Sequence, residues 1–159
     1  MSQRANYQKL SAPAFHALLA FEKTIETTTV DRHILDFVKI RASQLNGCLF
    51  CLDMHSKEAR THDERELRLY HLSVWRESSL FSPQERAALE WTELLTKLGS
   101  HGAEDADYAK VAAQFSEKEI CDLTLAVSSI NLWNRLGIAF RPTPGSLDIV
   151  MGLDKIGLR

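Results

Sequence analysis

Cys48 and Cys51 stand three residues apart, and His55 follows the second cysteine by four. In a helix that begins near Cys48, 3.6 residues per turn set the three side chains within about 60° of one another around the axis. Cysteines at i and i+3 have Cα atoms roughly 5 Å apart, inside the range a disulfide accepts, so this pair can oxidise without large backbone movement. A helix N-terminus adds partial positive charge and free N–H groups, which favour thiolate over thiol and can draw a cysteine pKa from about 8.5 towards 7. The residue types thus describe a reactive dithiol. His55 lies one turn beyond Cys51 and two beyond Cys48. Cys51 is therefore expected as the attacking thiolate, His55 as the group that accepts or relays its proton, and Cys48 as the resolving thiol. Attack on a peroxide gives a sulfenic acid, which a second thiol one turn away converts to a disulfide before over-oxidation.

The same residues admit other readings. Two free cysteines serve as small buried hydrophobes in many proteins. Cys48, Cys51 and His55, with Asp36 as a fourth ligand, are also the donor set of a tetrahedral zinc site. Structural zinc usually draws its ligands from two knuckles, and the chain has no second Cys/His cluster. Cys121, in "EKEICDLTLA", sits beside an apolar stripe and is expected to be structural. His16, His33, His62, His71 and His101 have no matching partners in sequence and are expected as surface or packed residues, and Met54 as core. Trp75, Trp91 and Trp133 are accounted for by packing, with Trp91 or Trp133 a candidate to line a pocket.

The elements that position these residues are helical almost throughout. Phe15, Leu18, Leu19 and Ile25 in "APAFHALLAFEKTIE" fall near one face, and Ile34, Leu35, Val38 and Leu45 repeat at spacings of three, four and seven. Asn46-Gly47 stops the second of these helices, because both residues accept the left-handed conformation that ends helices. The segment from Cys48 then opens a third. "SPQE" at Ser82–Glu85 and "SEKE" at Ser116–Glu119 are capping boxes that start two later helices, with a shorter one around "DADYAKVAAQF" between them. After Phe140, Pro142, Pro144 and Gly145 interrupt any period, so residues 143–159 read as an extended tail or partner arm. No alternating run of strand length appears. The expected fold is all-α, one domain of six or seven helices with a core over about 12–142.

Bulk properties agree with one globular unit. The chain has 159 residues, 45% hydrophobic and 25% charged, with a formal charge of −2. Its 19 Lys and Arg are scattered among 21 Asp and Glu, which argues against nucleic acid or an anionic membrane as a partner. "MSQRANYQKLS" lacks the apolar core of a signal peptide, and no stretch reaches the roughly 20 apolar residues of a membrane span. A cytoplasmic location is expected. Three cysteines, two of them adjacent in pattern, are not the framework of a disulfide-stapled secreted domain.

The stretch "DFVKIRASQLNGCLFCLDMHSKEAR" resembles the signature of the alkylhydroperoxidase D-like, or carboxymuconolactone decarboxylase, family: an acid, eleven residues, Cys-x-x-Cys, three residues, His. The resemblance continues through "VWRESSLFSPQERAALEWTELLT" and "LTLAVSSINLWNRLGIA". It implies an all-helical homo-oligomer, often a trimer or hexamer, that reduces a hydroperoxide through Cys51 and Cys48. Asp36 and His55 would relay protons, a lipoyl- or thioredoxin-like dithiol would reset the pair, and no cofactor or metal is called for. Two positions depart from the pattern: the acid is Asp36 rather than glutamate, and Leu49-Phe50 replaces an intervening pair that contains histidine in well-known peroxidases. Members that act as lactone decarboxylases generally lack the cysteine pair. The alternatives are a decarboxylase or related lyase on a small carboxylated ring, with Asp36 and His55 as acid and base, and a redox-sensing or zinc-binding module without activity. Glu93, Asn131, Asn134 and Arg135 also lie in the resembling stretches, with no role assigned beyond packing, subunit contacts or support.

Overall fold

Asp31 begins the helix on which the rest of the fold is built. Its side chain accepts hydrogen bonds from the His33 and Ile34 amides and caps α3 (Arg32–Asn46), which Gly47 ends at φ 70. The computed structural model describes residues 3–156. Residues 1–2, which begin the N-terminal stretch, and residues 157–159, which end the expected arm, lie outside the described residues. Around α3 are α1 (Tyr7–Leu10), α2 (Ala12–Ile25), α4 (Leu49–Thr61), α5 (Glu66–His71), a 3₁₀ turn at Leu72–Val74, α6 (Pro83–Thr96), α7 (Asp105–Ala112), α8 (Glu117–Phe140) and α9 (Asp148–Met151). The described residues contain helices and turns and no strand. The count exceeds six or seven because α1, α5 and α9 are single-turn pieces of 4, 6 and 4 residues, too short to leave a period in sequence.

Both expected capping boxes form. The Ser82 hydroxyl accepts from the Glu85 amide while the Glu85 carboxylate accepts from the Ser82 amide, and Ser116 and Glu119 repeat the exchange at the start of α8. A third box, Glu104 with Asp107, starts α7 with a carboxylate in place of the usual hydroxyl.

Helix α3 packs against α4, α6 and α8 and is buried on two sides. Ile34, Leu35, Val38 and Ala42 join Trp91, Leu123, Val127 and Ile130 in one apolar cluster, which also takes in Cys48 and Cys51. Phe37 and Ile40, on the other side, join Leu72, Trp75, Phe81 and Leu89. Burial of this apolar area supplies the main driving force for the fold. Because α3 serves two clusters, its few polar side chains are trapped between layers. Asp36, Lys39 and Ser43 are all buried.

The C-terminal segment does not run out as an extended arm. It turns back at Gly145 (φ 78), forms α9 and ends its turn at Gly152 (φ 69). Asp148 reaches the Lys57 ammonium of α4 at 2.8 Å, and Leu153 is buried. Prolines break a helix without preventing the chain from packing, so the lack of periodicity concealed a docked segment. Leu153→Ala is expected to remove about 2 kcal/mol from this local docking. Limited proteolysis should then cut within residues 143–156 faster than in wild type, with the main thermal transition little changed.

Candidate active site

Cys48 is the N-cap residue of α4, at φ −87 and ψ 94, and Cys51 lies in the first turn. Their Sγ atoms are 3.0 Å apart and both residues are buried. The contact is permitted by α8: a Cβ on Gly137 would stand 2.6 Å from Cys48 Sγ and 3.5 Å from Cys51 Sγ. Glycine at that position lets the backbone of α8 lie against the two sulfurs.

The amides of the opening turn and a ladder of side-chain amides surround the pair. Asn46 Nδ2 donates to Asn131 Oδ1 and Asn134 Oδ1, both at 2.9 Å, and Asn134 Nδ2 donates to Ser43 Oγ at 3.0 Å. The Asn134 amide also favours ionisation of both thiols. The hydrogen bond from Cys51 is the largest influence on Cys48. Aided by the Cys51 and Phe50 backbone amides, it outweighs burial and lowers Cys48 to about 7. Cys51 is pushed up, first by its hydrogen bond to Cys48, then by burial and the Cys48 charge. Cys48 is therefore the more readily ionised of the two thiols, whereas proximity to His55 points to Cys51. The N-cap position adds to this, because the Phe50 and Cys51 amides of the first turn also favour the Cys48 thiolate.

A pocket of about 160 Å³ opens beside Cys51. Phe15, Phe50, Met54 and Trp133 give it apolar walls, Tyr7 and the returning tail residues Leu147 and Met151 close part of its rim, and His55, Glu58 and Lys39 form its polar end. Of the two tryptophans considered, Trp133 lines this pocket. Trp91 donates Nε1–H to Thr124 Oγ1 elsewhere in the core. Burial, and then the neighbouring Cys51 and Cys48 sulfurs, raise the pKa of the Tyr7 hydroxyl.

The acid beside His55 is Glu58, not Asp36. His55 Nδ1 donates to Glu58 Oε2 at 2.7 Å, which leaves Nε2 as the ring atom available for proton exchange. Burial opposes the Glu58 charge, but the His55 hydrogen bond and the charges of His55, Lys39 and His62 hold it at about 2. Burial likewise opposes the Lys39 charge, but the Glu58 and Glu22 carboxylates keep its ammonium above the ordinary lysine range, with Glu22 at 3.0 Å. Asp36 accepts from His62 Nδ1 at 2.7 Å and faces a different pocket, on the other side of Lys39 and Glu58. Burial raises its pKa, against the hydrogen bond and charge of His62. Asp36 is thus one shell further from the sulfurs than the sequence pattern implies.

Glu58 and Asn134 were given no role from sequence. The signal for Glu58 was present, since i+3 from His55 on one helix places the side chains together. His62 has no such local signal. Cys121, expected to pack, is exposed. Among the described residues no group of three or more His, Cys, Asp or Glu side chains is placed to hold a metal ion, so the zinc donor set does not assemble.

Residues 12–94 match the profile of the carboxymuconolactone decarboxylase family. The uncharacterized protein YdfG of Bacillus subtilis is 39% identical over 139 residues, 87% of this chain and 95% of YdfG. The chain belongs to the carboxymuconolactone decarboxylase family. A protein of unknown function from Agrobacterium tumefaciens, ascribed to AhpD-type antioxidant defence, is 40% identical. It superposes with a TM-score of 0.85 over 89% of this chain and 97% of its own. The debrominase Bmp8 shares the fold at 18% identity, with a TM-score of 0.70 over 88% of this chain and 75% of its own. The family fold is therefore established, and with it the AhpD-like architecture.

In peptide-resolved alkylation with iodoacetamide, the Cys48 rate is expected to rise with pH around a midpoint near 7. Cys51→Ala removes the hydrogen bond that most lowers Cys48, so the midpoint should move upward. An unmoved midpoint would assign the lowering to the helix terminus alone.

Proposed function

We propose that the protein is a thiol-dependent peroxidase that reduces a small hydroperoxide and forms a Cys48–Cys51 disulfide. The observation that carries this reading is the buried pair of sulfurs 3.0 Å apart, one of them at a helix N-terminus and the other sharing an apolar pocket with His55. The AhpD-type description of the Agrobacterium tumefaciens relative supports it. The debrominase has the fold in common and lends no chemistry.

The two sulfurs share one proton in the resting state, with the charge on Cys48. Transfer of that proton from Cys51 to Cys48 across the contact puts the thiolate in the pocket. Cys51 Sγ attacks the terminal peroxide oxygen, the O–O bond breaks, and His55 protonates the departing alkoxide. Cys48 then displaces hydroxide from the Cys51 sulfenic acid, and water and the disulfide result. Glu58 holds the His55 ring through Nδ1 and so presents Nε2 to the pocket. Asp36 supports this unit from behind, through the shared field of Glu58, Lys39 and His62. A dithiol donor completes the cycle, which suits a reducing compartment such as the cytoplasm and a homo-oligomer of the family's usual kind.

The lyase alternative requires Asp36 and His55 to act as one acid–base pair. Each is bonded to a different partner, His62 and Glu58 respectively, which favours thiol chemistry instead.

One equivalent of an organic hydroperoxide is expected to remove two thiols per chain in wild type and to leave no intramolecular disulfide in Cys51→Ser. An unchanged thiol count in wild type would end the peroxidase reading. Glu58→Gln should slow oxidation of the pair by about tenfold, less than the roughly hundredfold or more that a proton-transfer group itself contributes, because Glu58 acts through His55. Asp36→Asn should cost less, and the reverse ranking would return the relay to Asp36.

A further inference from the structure

Each sulfur of the pair opens onto its own pocket. Cys51 shares the 160 Å³ pocket with His55, while Cys48 lines a second, of about 350 Å³, together with Leu49, Ile138, Arg141, Pro142 and Pro144. Phe50 and Gly137 are the residues common to both, so they form a partition in which the two sulfurs meet. Arg141 takes the left-handed conformation at the end of α8, at φ 53, and its side chain has no carboxylate partner among the described residues.

The geometry points to the Cys48 pocket as the entrance for the reductant, a small dithiol, and to Cys48 as the sulfur it attacks. The inference rests on the reading of the pair as redox-active. Three observations carry it. A thiolate displaces a sulfur from a disulfide along the S–S axis, from the side opposite the leaving sulfur, so attack on Cys48 comes through the Cys48 pocket. That pocket has more than twice the volume of the other. An incoming thiolate also meets the Arg141 cation on the Cys48 side, whereas on the Cys51 side it meets Glu22, Glu26 and Glu58 beside Lys39.

The exchange balances without a further co-reactant. One thiolate of the dithiol bonds to Cys48 Sγ, the Cys48–Cys51 bond breaks, and Cys51 leaves as thiolate beside His55, from which it takes a proton. The second thiol of the donor, once deprotonated, then displaces Cys48. The donor departs as a cyclic disulfide, oxidised by two electrons, and both protein sulfurs are reduced. Oxidant and reductant thus use opposite faces of the partition.

The test starts from the disulfide form made with diamide, so it does not depend on peroxide chemistry. Reduction by dithiothreitol is followed by quenched alkylation and mass spectrometry in wild type, Ile138→Trp and Leu19→Trp. Ile138 borders the Cys48 pocket and Leu19 the other. Ile138→Trp is expected to slow reduction about tenfold and Leu19→Trp less than twofold, because exchange rates follow access to the attacked sulfur. An equal or larger effect of Leu19→Trp would overturn the assignment. Should Ile138→Trp lack the wild-type helical circular dichroism, Arg141→Glu carries the test. Charge reversal there should slow reduction severalfold and leave it sped, not slowed, by added salt, and an unchanged rate would overturn the proposal. Failure of diamide to form the bond would overturn it as well. Failure of hydroperoxide alone would remove the peroxidase reading and leave this assignment standing.

Discussion

The two sulfurs lie 3.0 Å apart and buried, and the backbone of α8 at Gly137 lies directly against them. The missing Cβ brings a second helix against the N-terminus of α4. Once solvent is gone, the opening amides of α4 and the Asn134 side chain are the groups left to stabilise a sulfur anion, and in a low dielectric they act more strongly than they would in water. The asymmetry between Cys48 and Cys51 follows from this arrangement. One sulfur sits where the amides converge; the other sits a turn inside, where burial opposes charge.

The buried charges behind His55 follow from the position of α3 between two apolar clusters. Asp36, Lys39 and Ser43 cannot reach bulk water from there, so each must find a partner inside the protein. Lys39 bonds Glu22 and lies in the field of Glu58, Asp36 bonds His62, and Ser43 donates to the Lys39 carbonyl at 2.7 Å. Removal of one partner from such a set leaves an uncompensated charge, which is more costly than loss of the pair. The same set keeps Glu58 ionised beside His55. A structural requirement of the core and a chemical requirement of the pocket are met by the same side chains.

Local features were legible in the sequence and tertiary ones were not. The stop at Asn46-Gly47, the two Ser/Glu capping boxes and the long helix after Ser116 depend on residues within one turn of each other, so spacing alone reveals them. The common face of Cys48, Cys51 and His55 is a property of the same kind. The partner of Asp36 is not, because His62 lies 26 residues away and reaches it only after α4 folds back on α3. The docked tail was hidden for a similar reason. Prolines and glycines erase periodicity, yet Asp148 and Leu153 fasten the segment through one ion pair and one buried side chain, neither of which has a pattern.

The exchange of roles between Asp36 and Glu58 has a simple geometric basis. An acid on α3 must reach His55 across a helix–helix interface, and aspartate is one methylene shorter than the glutamate usual in the family. An acid three residues after His55 is placed by the helix itself, with no dependence on interhelical distance. Cys48, Cys51, His55 and Glu58 then fall within about 80° on one face of α4, a reactive stripe carried by a single element. What the neighbouring helices contribute is environment: α8 excludes water and supplies an amide, and α3 supplies Lys39 and a second acid. Asp36, on the neighbouring helix, pairs with His62 instead.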